Sequence, residues 1–188
     1  MGAIESPTRF KLTIEQYYKM GEAGVFPPEA RVELIFGEIY QMPPIGGPHS
    51  GTVIRLTQVF SLRLGTRVQV SVQGPVSLPM DSEPQPDLML LRPRPDFYTT
   101  RHAQADDVLL VVEVADTSLA FDRGIKAKLY AERSIVEYWI VDVKARQIEV
   151  HRAPTDSGYA SISVLTDEAT IAPLALGECV FTLGELLG

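Results

Sequence analysis

The sequence predicts an α/β fold in which a mixed β-sheet is flanked by helices. Two observations predict it. In some segments apolar residues recur every three or four positions, which is the period of an amphipathic helix, and in others they alternate or run continuously, as in strands. Helical and strand-like segments also follow one another without an internal repeat or a low-complexity linker. This order is typical of helices packed on a sheet.

The composition limits both the class of protein and its partners. The 188 residues are 45% hydrophobic and 22% charged, which favours one globular domain with a real core over wholesale disorder. A net charge of −7 argues against a protein that coats nucleic acid by bulk charge, but it allows a local phosphate-binding cleft. Cys179 is the single cysteine, so an intrachain disulfide and a thiolate metal site are excluded. No segment has the roughly 18 apolar residues that span a bilayer. We therefore expect a cytoplasmic protein without a membrane partner.

The N-terminal part of the domain, about residues 13–41, is predicted to contain a helix and a hairpin. The helix is expected over 14–20, and residues 31–40 are apolar on either side of Gly37, as in a tight strand-turn-strand. The Pro/Gly-rich run 43–48 is predicted to be a loop.

The central part, about residues 50–152, is predicted to form the sheet and its main helices. Residues 108–112 are all Val or Leu, as expected for a central strand that is covered on both faces. The C-terminal extension, 153–188, should add an outer strand and a short terminal helix to this single domain. The central strands are expected at 67–72, 87–91, 108–112, 138–141 and 148–150, and the helices at about 53–64 and 119–132.

Two acidic residues stand out because packing alone does not require them. Asp87 follows Pro86 at the start of an apolar strand, and Glu113 comes at the end of another. If those strands are neighbours, the two carboxylates converge at one end of the sheet. A buried carboxylate pair needs a compensating cation or a shared proton, and Mg²⁺ accepts such oxygen ligands together with phosphate oxygens. With Lys126 on the next helix as an ammonium, the set suits metal-assisted phosphodiester hydrolysis.

Each of these residues also has a plainer interpretation. Asp87 could be an ordinary turn residue after a proline. Lys126 could form an exposed i, i+4 ion pair with Asp122. Lys128 is an alternative to Lys126, because at about 100° per residue the two lysines lie on opposite flanks of the apolar stripe. Glu113 is harder to explain by structure alone, since a carboxylate that continues five apolar residues is costly unless it is paired.

Several motifs, in their order and spacing, resemble those of a known family. Over about residues 14–152 the sequence resembles the Uma-type restriction-endonuclease-like family of the PD-(D/E)XK nuclease superfamily. The motifs are Pro86-Asp87, Glu113-Val-Ala, Asp122-Arg-Gly-Ile-Lys126 with Tyr130, Glu137-Tyr-Trp-Ile-Val-Asp142, Glu33-Leu-Ile-Phe-Gly-Glu38, the Pro/Gly loop before His49, and Gln73-Gly-Pro-Val.

The resemblance implies a restriction-endonuclease-like core, in which a mixed four-stranded sheet is flanked by helices and extended by additional N-terminal and C-terminal strands. It implies that Asp87 and Glu113 bind Mg²⁺, with Mn²⁺ as a possible substitute. A backbone carbonyl just after the acid, here that of Val114, would complete the protein ligands. Glu33 resembles the extra acid that often joins the site.

The sequence departs from the superfamily pattern at one position. The lysine expected two residues after Glu113 is replaced by Ala115, so the resemblance suggests that Lys126 supplies the amine. The expected activity is hydrolysis of nucleic acid, with DNA as the expected substrate, and His49 could contact phosphate. The alternative is a non-catalytic nucleic-acid or protein-interaction module that retains the nuclease fold. A homodimer formed through an exposed strand edge is compatible with either function.

Overall fold

The computed structural model describes residues 8–188, which divide into two compact units. The first unit consists of the described residues up to Pro43 together with Leu78–Pro84. The second unit consists of Pro44–Ser77 and Gln85–Gly188. Within residues 8–188 there is no helix with the length and apolar character needed to cross a membrane.

The first unit contains one helix and one hairpin, as predicted. Helix α1 (Ile14–Glu22) begins at a capping box, in which the Thr13 side chain accepts a hydrogen bond from the backbone of the third helical residue. Strands β1 (Val32–Ile35) and β2 (Glu38–Gln41) pair in antiparallel register. Gly37 in the turn has a φ of 72°, which glycine adopts without the strain that a side chain would add.

The second unit carries the large sheet and the remaining helices. Its helices are α2 (Gly47–Leu64), α3 (Leu119–Phe121), α4 (Ala127–Glu132) and α5 (Leu183–Leu187). Its strands are β3 (Gln69–Val72), β4 (Val76–Ser77), β5 (Leu88–Leu91), β6 (Ala103–Gln104), β7 (Val108–Ala115), β8 (Glu137–Asp142), β9 (Gln147–Thr155), β10 (Gly158–Leu165), β11 (Thr170–Ile171) and β12 (Phe181–Thr182).

Six of these strands form one mixed sheet, in the order β10–β9–β8–β7–β5–β3. Strands β7 and β8 are parallel, and every other neighbouring pair in this sheet is antiparallel. The mixed sheet flanked by helices is thus confirmed. The small pairs β4–β6 and β11–β12 lie outside it.

The apolar core of the second unit lies on the face of the sheet covered by α2. Residues that alternate along β7 point to opposite faces, so Leu110, Val112 and Val114 face α2 while Glu113 faces α4. The ring of Phe60 meets Phe181 edge-on, with centroids 5.4 Å apart. The buried residues of α2 are those whose spacing predicted the helix: Val53, Leu56, Phe60 and Leu64.

Several predicted boundaries were wrong. Helix α2 already begins at Gly47, because a proline in the first turn needs no backbone donor, so the end of the predicted 43–48 loop is helical. Strand β7 continues to Ala115, so Glu113 lies inside the strand and not at its end.

The helix predicted over 119–132 is interrupted by a π-helical turn at Asp122–Lys126. The backbone N–H of Ala127 donates to the carbonyl of Asp122, five residues earlier. Such a turn inserts an extra residue into the helical period and therefore changes which side chains face the sheet. Lys126, the last residue of the turn, is buried and Lys128 is exposed, so only one of these two lysines points into the protein.

Candidate functional site

Asp87 and Glu113 lie side by side in the second unit. In the antiparallel pair β5–β7, Leu88 is opposite Val112, which brings the preceding Asp87 next to Glu113. The backbone N–H of Asp87 donates to Oε2 of Glu113 over 3.3 Å. Only 7% of Asp87 and 3% of Glu113 is exposed. The predicted convergence of the two carboxylates at neighbouring strands is therefore present.

Two buried side chains from the π-turn and α4 hold the Glu113 carboxylate. Lys126 Nζ and the Tyr130 hydroxyl each donate to Oε1 of Glu113 over 2.8 Å. The lysine and the glutamate are both almost completely buried, so each charge compensates the other. Lys128, the alternative, is 61% exposed and lies 3.6 Å from Glu132. The structure thus places Lys126 beside the acidic pair.

The π-helical turn that presents Lys126 is itself fixed by hydrogen bonds. Ser118 Oγ donates to Oδ2 of the buried Asp122 over 2.5 Å. The hydroxyl of Tyr138, from β8, donates to the Asp122 carbonyl over 3.3 Å. Asp122 therefore anchors the start of the turn, and Asp122 and Lys126 are both buried, unlike the partners of a surface ion pair.

The Asp87 carboxylate is held from the other side. Its Oδ2 accepts the backbone N–H of Val114 at 2.9 Å and lies 2.9 Å from Nε2 of His49. Gln73 Nε2 lies 3.5 Å from Oδ1. Burial raises the pKa of Asp87, but the hydrogen bond and charge of His49, the Val114 N–H and the charge of Lys126 outweigh it. The pKa of Asp87 is therefore below its ordinary value, and the carboxylate is ionised at neutral pH.

His49 joins the site through a contact that the sequence did not predict. The first turn of α2 directs its imidazole to Asp87, and the contact with phosphate that the sequence allowed stays a prediction. Its Nδ1 is buried and has no hydrogen-bond partner among the described residues. The only sequence signal for His49, and for Gln73 and Tyr130, was their place within the family-like motifs.

Glu33 lies in the first unit, on β1, and is almost completely buried. The neighbouring Leu34 forms a bridge with Glu83, a second buried acid of that unit. Burial raises the pKa of Tyr17, and the negative charges of Glu83 and Glu33 add to that rise. The metal-binding role of Glu33, like that of the Val114 carbonyl, stays a prediction.

The donors at Asp87 and Glu113 suit a hard divalent cation. Within residues 8–188, no group of three or more His, Cys, Asp or Glu side chains is arranged to hold a metal ion. A cluster of three is not required for Mg²⁺, which usually keeps several waters and takes one or two carboxylates together with substrate phosphates. A pair of buried, adjacent carboxylates of which Asp87 is ionised therefore fits such an ion.

Comparisons with known proteins agree with this architecture. The model of the Uma2 family, described as "Putative restriction endonuclease", matches residues 14–184. Among solved structures, the chain is similar to a "putative nuclease belonging to DUF820" from Anabaena variabilis ATCC 29413. That likeness has a TM-score of 0.67 and 16% sequence identity over 94% of this chain and 97% of the other. At this identity the likeness shows the fold. No curated protein matches the chain.

Proposed function

Because this chain belongs to the Uma2 family, described as "Putative restriction endonuclease", we propose that it is a metal-dependent nuclease that hydrolyses phosphodiester bonds, with DNA as its substrate. Family membership confirms the resemblance found in the sequence. The observation that carries the proposal is the buried pair Asp87 and Glu113 with Lys126 hydrogen-bonded to it. A packed core has no need of two acids and an ammonium at adjoining positions.

Asp87 and Glu113 would hold Mg²⁺, or Mn²⁺ in its place, and the Val114 carbonyl is proposed as a further ligand. The ion supplies Lewis-acid stabilisation of charge on the phosphate and lowers the pKa of water. His49 and the Val114 N–H keep Oδ2 of Asp87 in place and favour its ionised form.

Lys126 is the proposed catalytic amine. Its ammonium has three donors, and one of them reaches Oε1 of Glu113 over 2.8 Å. Its flexible stem would let the ammonium turn to a phosphate oxygen of a bound substrate and stabilise the negative charge that develops there. The site is buried, so this charge interaction is screened less than one at the surface.

The test is cleavage of plasmid and single-stranded DNA with Mg²⁺ or Mn²⁺, alongside calorimetric Mn²⁺ titration. Glu113→Gln and Asp87→Asn should abolish cleavage and weaken Mn²⁺ binding. Glu149→Gln is the matched control, because Glu149 is also a buried acid but is paired with Arg123. Mn²⁺ binding without cleavage of either DNA would instead favour the alternative, a non-catalytic interaction module. Unchanged Mn²⁺ binding in both site variants would contradict the assignment of these ligands.

We further propose that the protein acts in the cytoplasm as a homodimer that pairs through β10. This strand is the outermost of the sheet, and none of its eight residues, Gly158–Leu165, is charged. Ile162 and Val164 are 58% and 52% exposed. A long, uncharged edge strand is a surface on which a second strand can pair. Because two copies of β10 bring no like charges together, a second copy of this chain fits the edge.

A further inference from the structure

Oε1 and Oε2 of Glu113 have different surroundings. Oε1 accepts two short hydrogen bonds, from Lys126 and from the fully buried Tyr130, each over 2.8 Å. Oε2 faces the backbone N–H of Asp87 over a longer 3.3 Å. The helix side of the site therefore holds one oxygen firmly, which leaves the other oriented toward Asp87.

The two donors to Oε1 differ in their freedom to move. The Tyr130 ring packs edge-on against Tyr138, with centroids 4.9 Å apart. Tyr138 in turn stacks on Tyr159 at 6.2 Å, and the Tyr159 hydroxyl donates to the Ile135 carbonyl over 2.8 Å. Packing therefore fixes the position of the Tyr130 hydroxyl. Lys126, by contrast, carries its ammonium on a flexible four-carbon stem.

This difference matters if Lys126 also donates a hydrogen bond to a phosphate oxygen of the substrate. When its ammonium turns toward a phosphate oxygen, Oε1 gives up one of its two short hydrogen bonds, and a buried carboxylate is destabilised by each donor that it loses. Tyr130 limits this loss, because its hydroxyl stays on Oε1. We propose that Tyr130 is a positioning residue, which keeps Glu113 oriented for the metal while Lys126 engages the substrate. The proposal rests on the nuclease function above.

The variant Tyr130→Phe removes the hydroxyl and keeps the ring. We expect its calorimetric Mn²⁺ affinity to fall about tenfold, the usual effect of losing a partner of a metal ligand. We expect kcat to fall together with the Mn²⁺ affinity. KM for DNA should change little, since Tyr130 does not contact the substrate. Tyr159→Phe is the matched control: it removes a half-buried hydroxyl from the same aromatic stack, and its Mn²⁺ affinity should equal that of the wild type. Thermal unfolding without metal establishes that both variants are folded.

A second variant tests the same point from the other donor. In Lys126→Met the Tyr130 hydroxyl still holds Oε1, so Mn²⁺ affinity should be retained although cleavage is lost. Wild-type affinity in Tyr130→Phe, equal losses in Tyr130→Phe and Tyr159→Phe, or loss of Mn²⁺ binding in a Lys126→Met protein that thermal unfolding shows to be folded would each overturn the role of Tyr130. A wild-type protein that does not bind Mn²⁺ would instead overturn the proposed function itself, and the positioning role with it.

Discussion

His49 Nε2 lies 2.9 Å from Oδ2 of Asp87, so the first turn of α2 is joined to the start of β5. Glu113, the neighbouring acid, is held by Lys126 and Tyr130 from the other face of the sheet. Each carboxylate is thus contacted by a different helical segment, and the Asp87 N–H also donates to Oε2 of Glu113. This arrangement lets the two acids be tested separately.

Replacing His49 should change the ionisation of Asp87. Burial alone raises the pKa of that carboxyl, and His49 is the largest influence that lowers it. In His49→Ala the pKa of Asp87 should therefore rise, which NMR titration of labelled Asp carboxyl carbons can measure. The control His102→Ala changes a histidine in the loop after β5. An Asp87 pKa that is the same in His49→Ala and the wild type would contradict the contact.

Loss of the Lys126 charge should destabilise the metal-free protein strongly. Lys126→Met leaves the buried Glu113 without its compensating cation, which costs about 3 kcal/mol or more of unfolding free energy. Lys128→Met breaks only the exposed ion pair with Glu132 and should change the unfolding free energy by less than about 0.5 kcal/mol. Urea unfolding measures both values. Equal effects of the two substitutions would show that Lys126 is not the buried partner of Glu113.

Stability should fall in mildly acidic solution because of His151. Its imidazole is buried on β9, 3.6 Å from Glu149, and burial lowers its pKa despite that neighbouring charge. The unfolded chain therefore binds a proton more readily, so the full stability is present above about pH 6.5 and is lost as the pH falls through the folded-state pKa. His151→Phe should show a smaller loss of unfolding free energy between about pH 7 and 5. The same dependence of unfolding free energy on pH in His151→Phe and in the wild type would contradict the prediction.

A charge on the outer strand should prevent the proposed dimer. Ile162→Lys places like charges on paired β10 strands, whereas Leu62→Lys adds the same charge at an exposed apolar position of α2. Sizing chromatography with light scattering should find a monomer for the first variant and a dimer for the second. A wild-type monomer at high concentration would refute pairing through β10.

Local sequence patterns predicted much of the fold and part of the site. The stripe from Val53 to Leu64 predicted α2, and the apolar run at 108–112 predicted a central strand. Asp87 and Glu113 could be brought together because strands close in sequence tend to be neighbours in a sheet. These inferences needed only the period of each element and the usual connection between strands.

The rest depends on contacts that no local pattern encodes. The π-helical turn depends on backbone hydrogen bonds, and Lys126 is buried as its last residue. The contact of His49 with Asp87 requires α2 to pack where it does relative to β5. Glu113 is tolerated inside β7 because Lys126 and Tyr130 reach it from residues that follow the strand. A strand predicted from apolar residues alone must therefore end too early.

The central claim is that Asp87 and Glu113 share one divalent ion. The most direct measurement is a crystal structure of the protein soaked in Mn²⁺, with anomalous scattering to locate the metal. We predict one Mn²⁺ within bonding distance of both carboxylates, with Lys126 beside it. Mn²⁺ bound elsewhere, or no Mn²⁺ at these two residues at concentrations that support cleavage, would contradict the account.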